Sequence, residues 1–188
     1  MLKVVLASAS PRRRELLASL DIPFEVGTAS VDESIQTGET ISHYVRRLAM
    51  AKAKAGQEIY PERIILAADT AIALGNQIFG KPGSMEEARL MLQALGGKKH
   101  AVHTGVAVAY HDKTKVIETV TTITFMSLDK QTIEDYLSTL EWKDKAGAYA
   151  LQGKAARFIE SIKGSPSGVI GLPLAETALL LKEFGCTL

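Results

Sequence analysis

Lys3-Val4-Val5-Leu6-Ala7-Ser8-Ala9-Ser10-Pro11-Arg12-Arg13-Arg14, residues 3–14, is the stretch on which the reading of this chain turns. After Lys3 it is a short continuous apolar run, the pattern of a strand buried on both faces. Ser10 then offers the hydroxyl of a helix N-cap, and Pro11 suits the first helical position because it has no N–H to leave unpaired. Leu16, Leu17 and Leu20 give the helix one apolar stripe. A buried strand that runs straight into a helix is how an α/β domain begins.

The same grammar continues outward. Beyond a loop containing Asp32 and Glu33, Thr40 starts a second helix to about Gln57, with Tyr44, Val45, Leu48, Ala51 and Ala55 as its apolar stripe. Ile64-Ile65-Leu66-Ala67-Ala68 is another buried strand, which places Asp69-Thr70 at its carboxyl end. Ala71–Leu74 reads as a further strand that turns at Gly75-Asn76 and returns through Gln77–Phe79 to Gly80-Lys81-Pro82. Ser84 and Glu87 have capping-box spacing and open a helix that Gly96-Gly97 ends. Two β-rich stretches, 100–110 and 115–125, join through residues 111–114. Asp129 caps a helix to about Leu140, residues 141–154 are polar and glycine-rich, and 158–162 looks like a strand. Val169–Leu172 lead into Pro173, which begins a last helix closed at Gly185. These elements predict an α/β fold over residues 1–188 as a single domain. Its core is a mixed twisted β-sheet flanked by helices, with two lobes around a central cleft and ligands at the carboxyl ends of strands.

Composition narrows the function. Of 188 residues, 46% are hydrophobic and 23% charged, which excludes a disordered or fibrous chain. The formal charge of +1 provides no global field, so an anion site must be local. Nucleic acid is not an expected partner: the charge and the aromatic platforms are both missing. No membrane contact is expected either, since Ile64–Ala68 and Ala178–Leu181 fall far short of the ~20 residues of a spanning helix. Met1–Leu6 is too short for a signal core, and the expected location is cytoplasmic. One cysteine, Cys186, excludes an internal disulfide and a cysteine-based zinc site. His100 and His103 fall on opposite faces of their strand, and no glycine-rich phosphate loop is present.

Chemistry concentrates in a few places. Arg12, Arg13 and Arg14 crowd the first turn of a helix, where cations are unfavourable by ~0.3–1 kcal/mol each unless an anion is bound. With Ser8 and the free N–H groups of that turn they describe a phosphate site; the alternative is a basic face paired with acids elsewhere. Asp69 could bind Mg²⁺ or orient a water, or merely cap a turn. Lys52 lies on the apolar stripe of its helix and either snorkels or reaches into a cleft that holds an anion. Lys81, between Gly80 and Pro82, is presented by a fixed backbone. Gln152, between Leu151 and Gly153, could read the edge of a uracil or thymine ring, or belong to a plain glycine-rich turn.

Taken in order, Leu6-Ala7-Ser8-Ala9-Ser10-Pro11-Arg12-Arg13, Ala68-Asp69-Thr70, Gly80-Lys81-Pro82, Lys145-Ala146-Gly147-Ala148-Tyr149, Gln152-Gly153 and Val169-Ile170-Gly171-Leu172-Pro173 resemble the Maf family of nucleoside triphosphate pyrophosphatases. The resemblance implies a fold like that of the inosine triphosphatases. The run Ala148–Gly153 looks like the branch acting on dTTP and UTP rather than the sister branch that prefers 7-methyl-GTP. By the same resemblance Asp69 is the proton acceptor, and Arg12, Thr70 and Gln152 determine base specificity. Ser8, Arg13, Lys52 and Lys81 bind phosphate, Glu33 and Asp69 hold a divalent cation, Mg²⁺ or Mn²⁺, and the chain forms a homodimer. Many relatives carry an aromatic residue and Asn or Ser where this chain has Pro166 and Gly168, and Arg14 has no counterpart role. Two alternatives stay open: a pyrophosphatase for non-standard purine triphosphates, and a non-catalytic nucleotide-binding regulator of cell division.

Overall fold

The computed structural model describes residues 3–187; Met1 and Leu2, part of the amino-terminal reading, lie outside them. Strand β1 (Val4–Ala7) is buried throughout and leads into α1 (Pro11–Ala18), where Ser10 Oγ accepts the Arg13 N–H. Then come β2 (Phe24–Gly27), α2 (Ile41–Ile59) capped by Thr40, β3 (Ile64–Leu74), β4 (Gln77–Phe79) and α3 (Met85–Leu95). The second half holds β5 (Lys99–Tyr110), β6 (Lys113–Phe125), α4 (Lys130–Ser138), β7 (Ile159–Lys163), the short α5 (Pro166–Ile170) and α6 (Leu174–Glu183). One seven-stranded sheet runs β2-β1-β3-β5-β6-β7, with β4 on β3. Strands β2, β1 and β3 are parallel and the rest antiparallel, so the expected mixed α/β sheet flanked by helices is present.

Several boundaries differ from the expectation, each for a physical reason. Asp69 does not end a strand: β3 continues to Leu74 because β5 pairs with it from Ile65↔Ala109 to Ala73↔Ala101. The join between β5 and β6 is only His111-Asp112, with His111 at φ 48° in the left-handed region. Pro173 precedes α6 as its N-cap. β2 and α5 carry too little periodicity to stand out, and residues 146–148 and 154–158 form 3₁₀ turns.

Alternation along β1, β3 and β5 sorts the core onto two faces. Val5, Ala7, Ile65, Ala67, Ala107 and Ala109 pack under Ala49 and Ala53 of α2. The helix lies unusually close there, since a Cβ on Gly105 would sit 2.5 Å from the Val45 carbonyl oxygen. On the other face, Ile64, Leu66, Ala68, Val106 and Val108 pack with Leu17, Leu180 and Leu181 of α1 and α6. Further along this face Ile72 and Val102 join a second cluster with Leu92, Leu95 and Tyr136 of α3 and α4. The paired Thr70 and Thr104 are the polar break between those two clusters. That break divides one face into the two halves expected of a cleft.

Candidate active site

A gap in the edge of β3 organises the site. β1 pairs with β3 only as far as Leu6↔Leu66, and β4 takes up the same edge from Ile72. Between them, the Asp69–Thr70 segment is paired on the β5 side alone. The chain leaving β1 therefore aims Ser8, Ser10 and the N-terminus of α1 at an unfilled edge, as the carboxyl end of a parallel strand does in α/β proteins. A cavity of about 600 Å³ opens there, lined among others by Ser8, Arg12, Arg13, Glu33, Lys52 and Lys81. This size suits a nucleotide-scale ligand.

Arg13 is held from three sides. Nε donates to the Gly171 carbonyl at 2.9 Å, Nη2 to Thr70 Oγ1 at 3.2 Å and Nη1 to Ser8 Oγ at 3.4 Å. Gly171 sits at φ 129°, a conformation that favours glycine, and a Cβ there would press on Arg13 Nε at 3.3 Å. Neither Arg12 nor Arg13 has a carboxylate within ion-pair distance among the described residues. Burial lowers the basicity of both guanidiniums, most clearly opposed by Tyr136 and Asp144 at Arg12 and by Asp69 at Arg13. The reading of a basic face paired with acids therefore does not hold for these two residues. Two partly buried cations at a helix N-terminus, with no carboxylate at ion-pair distance among the described residues, are an arrangement that an anion would stabilise. Arg14 is exposed and touches none of this.

Lys52 does not snorkel. It is buried, with Nζ 2.6 Å from Asp69 Oδ1 and 2.6 Å from Glu33 Oε1. Burial would raise the Glu33 carboxyl, but the hydrogen bond and charge of Lys52, joined by Lys81 and Arg13, hold it below the usual value. The loop carrying Glu33 is tied to α2 by residues the sequence reading did not single out. Tyr44 Oη donates to the Glu33 carbonyl at 3.0 Å, and Arg47 Nη2 to the Ser34 carbonyl at 3.0 Å. Burial together with Asp69 and Glu33 pushes the Tyr44 hydroxyl up to about 12. Only its apolar spacing marked Tyr44, and nothing in the sequence marked Arg47.

Glu33 and Asp144 line the cavity, Asp69 is the second partner of the Lys52 ammonium, and no cluster of three His, Cys, Asp or Glu side chains exists among the described residues. The pair available to a cation is Glu33 with Asp69. Such a pair still fits Mg²⁺, which keeps several waters and takes one or two carboxylates plus substrate phosphates.

Apolar side chains also line the cavity: Ile72, Val102, Tyr149, Leu151 and Val169. Gln152 is not part of this lining. Its side chain is exposed, one residue beyond Leu151 and just before Gly153 at φ 124°. Tyr149 Oη meets His100 Nε2 at 2.8 Å behind the lining. Burial depresses the His100 ring to about 4. Folded and unfolded chains both carry it neutral above about pH 6.5; below that the unfolded chain takes up a proton that the folded one refuses. Stability is thus expected to fall as pH drops from 6.5 toward 4, by about 1.4 kcal/mol per unit at most. Urea unfolding of wild type and His100→Gln across that range checks this: parallel curves for the two proteins would remove His100 as the cause.

Residues 3–184 match the family described as Maf-like protein. The chain belongs to the Maf family. It is 48% identical over 186 residues to a dTTP/UTP pyrophosphatase of Myxococcus xanthus, covering 98% of this chain and 94% of the relative. A dTTP/UTP pyrophosphatase of Chromobacterium violaceum is 47% identical over 188 residues, covering 97% and 95%. In fold, this Maf chain matches a HAM1 protein from Coxiella burnetii with a TM-score of 0.54 at 19% identity, covering 97% and 100% of the two chains. The Ham1 protein of Staphylococcus aureus matches at 0.53 and 16%, covering 97% and 99%. No helix among the described residues is long and apolar enough to cross a membrane.

Proposed function

We propose that this chain hydrolyses dTTP and UTP to the nucleoside monophosphate and pyrophosphate. The observation that carries the reading is the pair of guanidiniums Arg12 and Arg13, without a carboxylate at ion-pair distance among the described residues, in the same cavity as Glu33, Lys52 and several apolar side chains, with Asp69 bound to Lys52. The names of relatives near 48% identity over almost the whole chain support the substrate.

In this reading the base enters between Ile72, Val102, Tyr149 and Val169, while Ser8, Arg12, Arg13, Lys52 and Lys81 hold the phosphates. Arg12, Thr70 and Gln152 set the base preference, Gln152 from the exposed turn beside Leu151. Water attacks the α-phosphorus, its proton passes to the Asp69 carboxylate, and the bond to the bridging oxygen breaks with its electron pair leaving on pyrophosphate. The cations do positioning and electrostatic work as charge builds on that leaving group. Glu33 and Asp69 would hold Mg²⁺ or Mn²⁺, which would supply charge neutralisation and make a nearby water more acidic. Lys52 orients Asp69 by donating to its Oδ1. The site lies within one chain, and we carry the homodimer as an expectation of the resemblance.

Pyrophosphate release from a panel of triphosphates tests this. dTTP and UTP are expected to turn over with Mg²⁺ and to be inert with excess EDTA. Preferential turnover of ITP would favour the purine-triphosphate alternative, and binding without turnover the regulatory one. Gln152→Ala is expected to narrow the preference for dTTP over ITP by about tenfold; an unchanged profile removes it from base reading.

A further inference from the structure

Behind Arg13 runs a chain of hydroxyls whose direction is fixed by a residue outside the cavity. Thr104, on β5, is 1% exposed. Its Oγ1 lies 2.8 Å from the Gly168 carbonyl oxygen and 3.0 Å from Thr70 Oγ1. A hydroxyl has one proton, and a carbonyl can only accept, so the Thr104 proton goes to Gly168. Thr70 must then donate to Thr104, and its remaining capacity is to accept, which it does from Arg13 Nη2. The sequence of donors is therefore Arg13, Thr70, Thr104, ending on the Gly168 carbonyl. Arg13 Nε closes the circuit through Gly171, three residues further along the same segment.

We infer that Thr104 is a positioning residue for the anion site: it fixes the polarity of the Thr70 hydroxyl and thereby the plane of the Arg13 guanidinium. Of the five N–H groups of Arg13, three are committed to protein partners, and the two that remain are aimed by that plane. A fork held flat can meet two oxygens of one phosphate, whereas a rotating one cannot. The same polarity makes Thr70 an acceptor toward anything in the cavity. It repels a phosphate oxygen and accepts from a ligand N–H or a water.

The inference rests on the phosphate-binding reading of the cavity, so its test separates binding from turnover. Inorganic pyrophosphate is titrated calorimetrically into wild type, Thr104→Val and Thr104→Ser, and each again in an Arg13→Lys background. Pyrophosphate binding by wild type, with or without triphosphate hydrolysis, keeps the site reading apart from the catalytic one. Thr104→Val is expected to weaken pyrophosphate by about tenfold, because a Thr70 hydroxyl no longer tied to Thr104 stops holding the Arg13 fork in one plane. Thr104→Ser, which keeps the proton and both lone pairs, is expected to bind as wild type. With Lys at position 13 the valine change is expected to add nothing, since no fork remains to be oriented. Should Thr104→Val not fold, Thr104→Cys is read in the same way. Unaltered affinity in the valine variant, or an equal loss in both backgrounds, overturns the inference.

Discussion

Asp69→Asn is expected to slow pyrophosphate release from dTTP by about 10²–10⁴-fold, the usual worth of a general base. The amide keeps the shape of the carboxylate and an oxygen for Lys52 Nζ, now 2.6 Å from Oδ1, but it cannot accept the water's proton. Neither the hydrophobic clusters around β3 nor its backbone ladder to β5 involves the exchanged atom. Thermal unfolding should therefore stay within a few degrees of wild type, and dTTP should still raise the melting temperature. Turnover at the wild-type rate would take Asp69 out of the mechanism. Lost turnover together with lost dTTP protection would make it a binding group instead.

Gly105→Ala is expected to be the most costly single-methyl change in the chain. Its Cβ would stand 2.5 Å from the Val45 carbonyl oxygen and 2.7 Å from the carbon, and both are backbone atoms of α2. No rotamer relieves that contact, so α2 must lift from the sheet. Overpacking of this kind costs about 3 kcal/mol, or roughly 6–12 °C in melting temperature for a chain of this size. Gly56→Ala provides the comparison. Its Cβ would meet Ile65 Cγ2 at 2.7 Å, a side-chain rather than a backbone atom, and its effect should be smaller. Because α2 also carries Lys52, the Gly105 variant should lose activity at temperatures where it is still folded. Equal melting temperatures for the two variants would contradict the backbone argument.

The start of the chain was legible because its signals are local. Ser10-Pro11, Thr40, Ser84 and Asp129 each cap the helix their position forecast, through a hydroxyl or carboxylate that accepts an N–H of the first turn. β2 was not legible: Phe24-Glu25-Val26-Gly27 is a four-residue edge strand, mostly exposed, held by its parallel pairing to β1 rather than by any pattern of its own. Nor was the continuity of β3, whose polar pair Asp69-Thr70 looks like a terminus until β5 is seen alongside. In the site, the cationic turn and the carboxylate of Asp69 announced themselves by residue type. Their meeting in one pocket was expected, but the gap between β1 and β4 that allows it was not, because it is a property of pairing lengths. Lys52 was placed on the inward face by spacing, but its two partners lie on a loop and a strand that only the folded sheet brings together. Thr104 carried no signal at all, being one threonine in a strand rich in β-branched residues.

The bond from Arg13 to Gly171 spans 158 positions of sequence. No partly assembled chain can therefore own the anion site, since its arginine is set only when the first and last thirds have docked. A nucleotide that occupies it binds the complete structure and nothing short of it, and the full free energy of occupancy is added to the cooperative unfolding of the molecule. Cellular triphosphate would then act on this chain as a folding effector as well as a substrate, drawing the two distant ends into one cooperative unit.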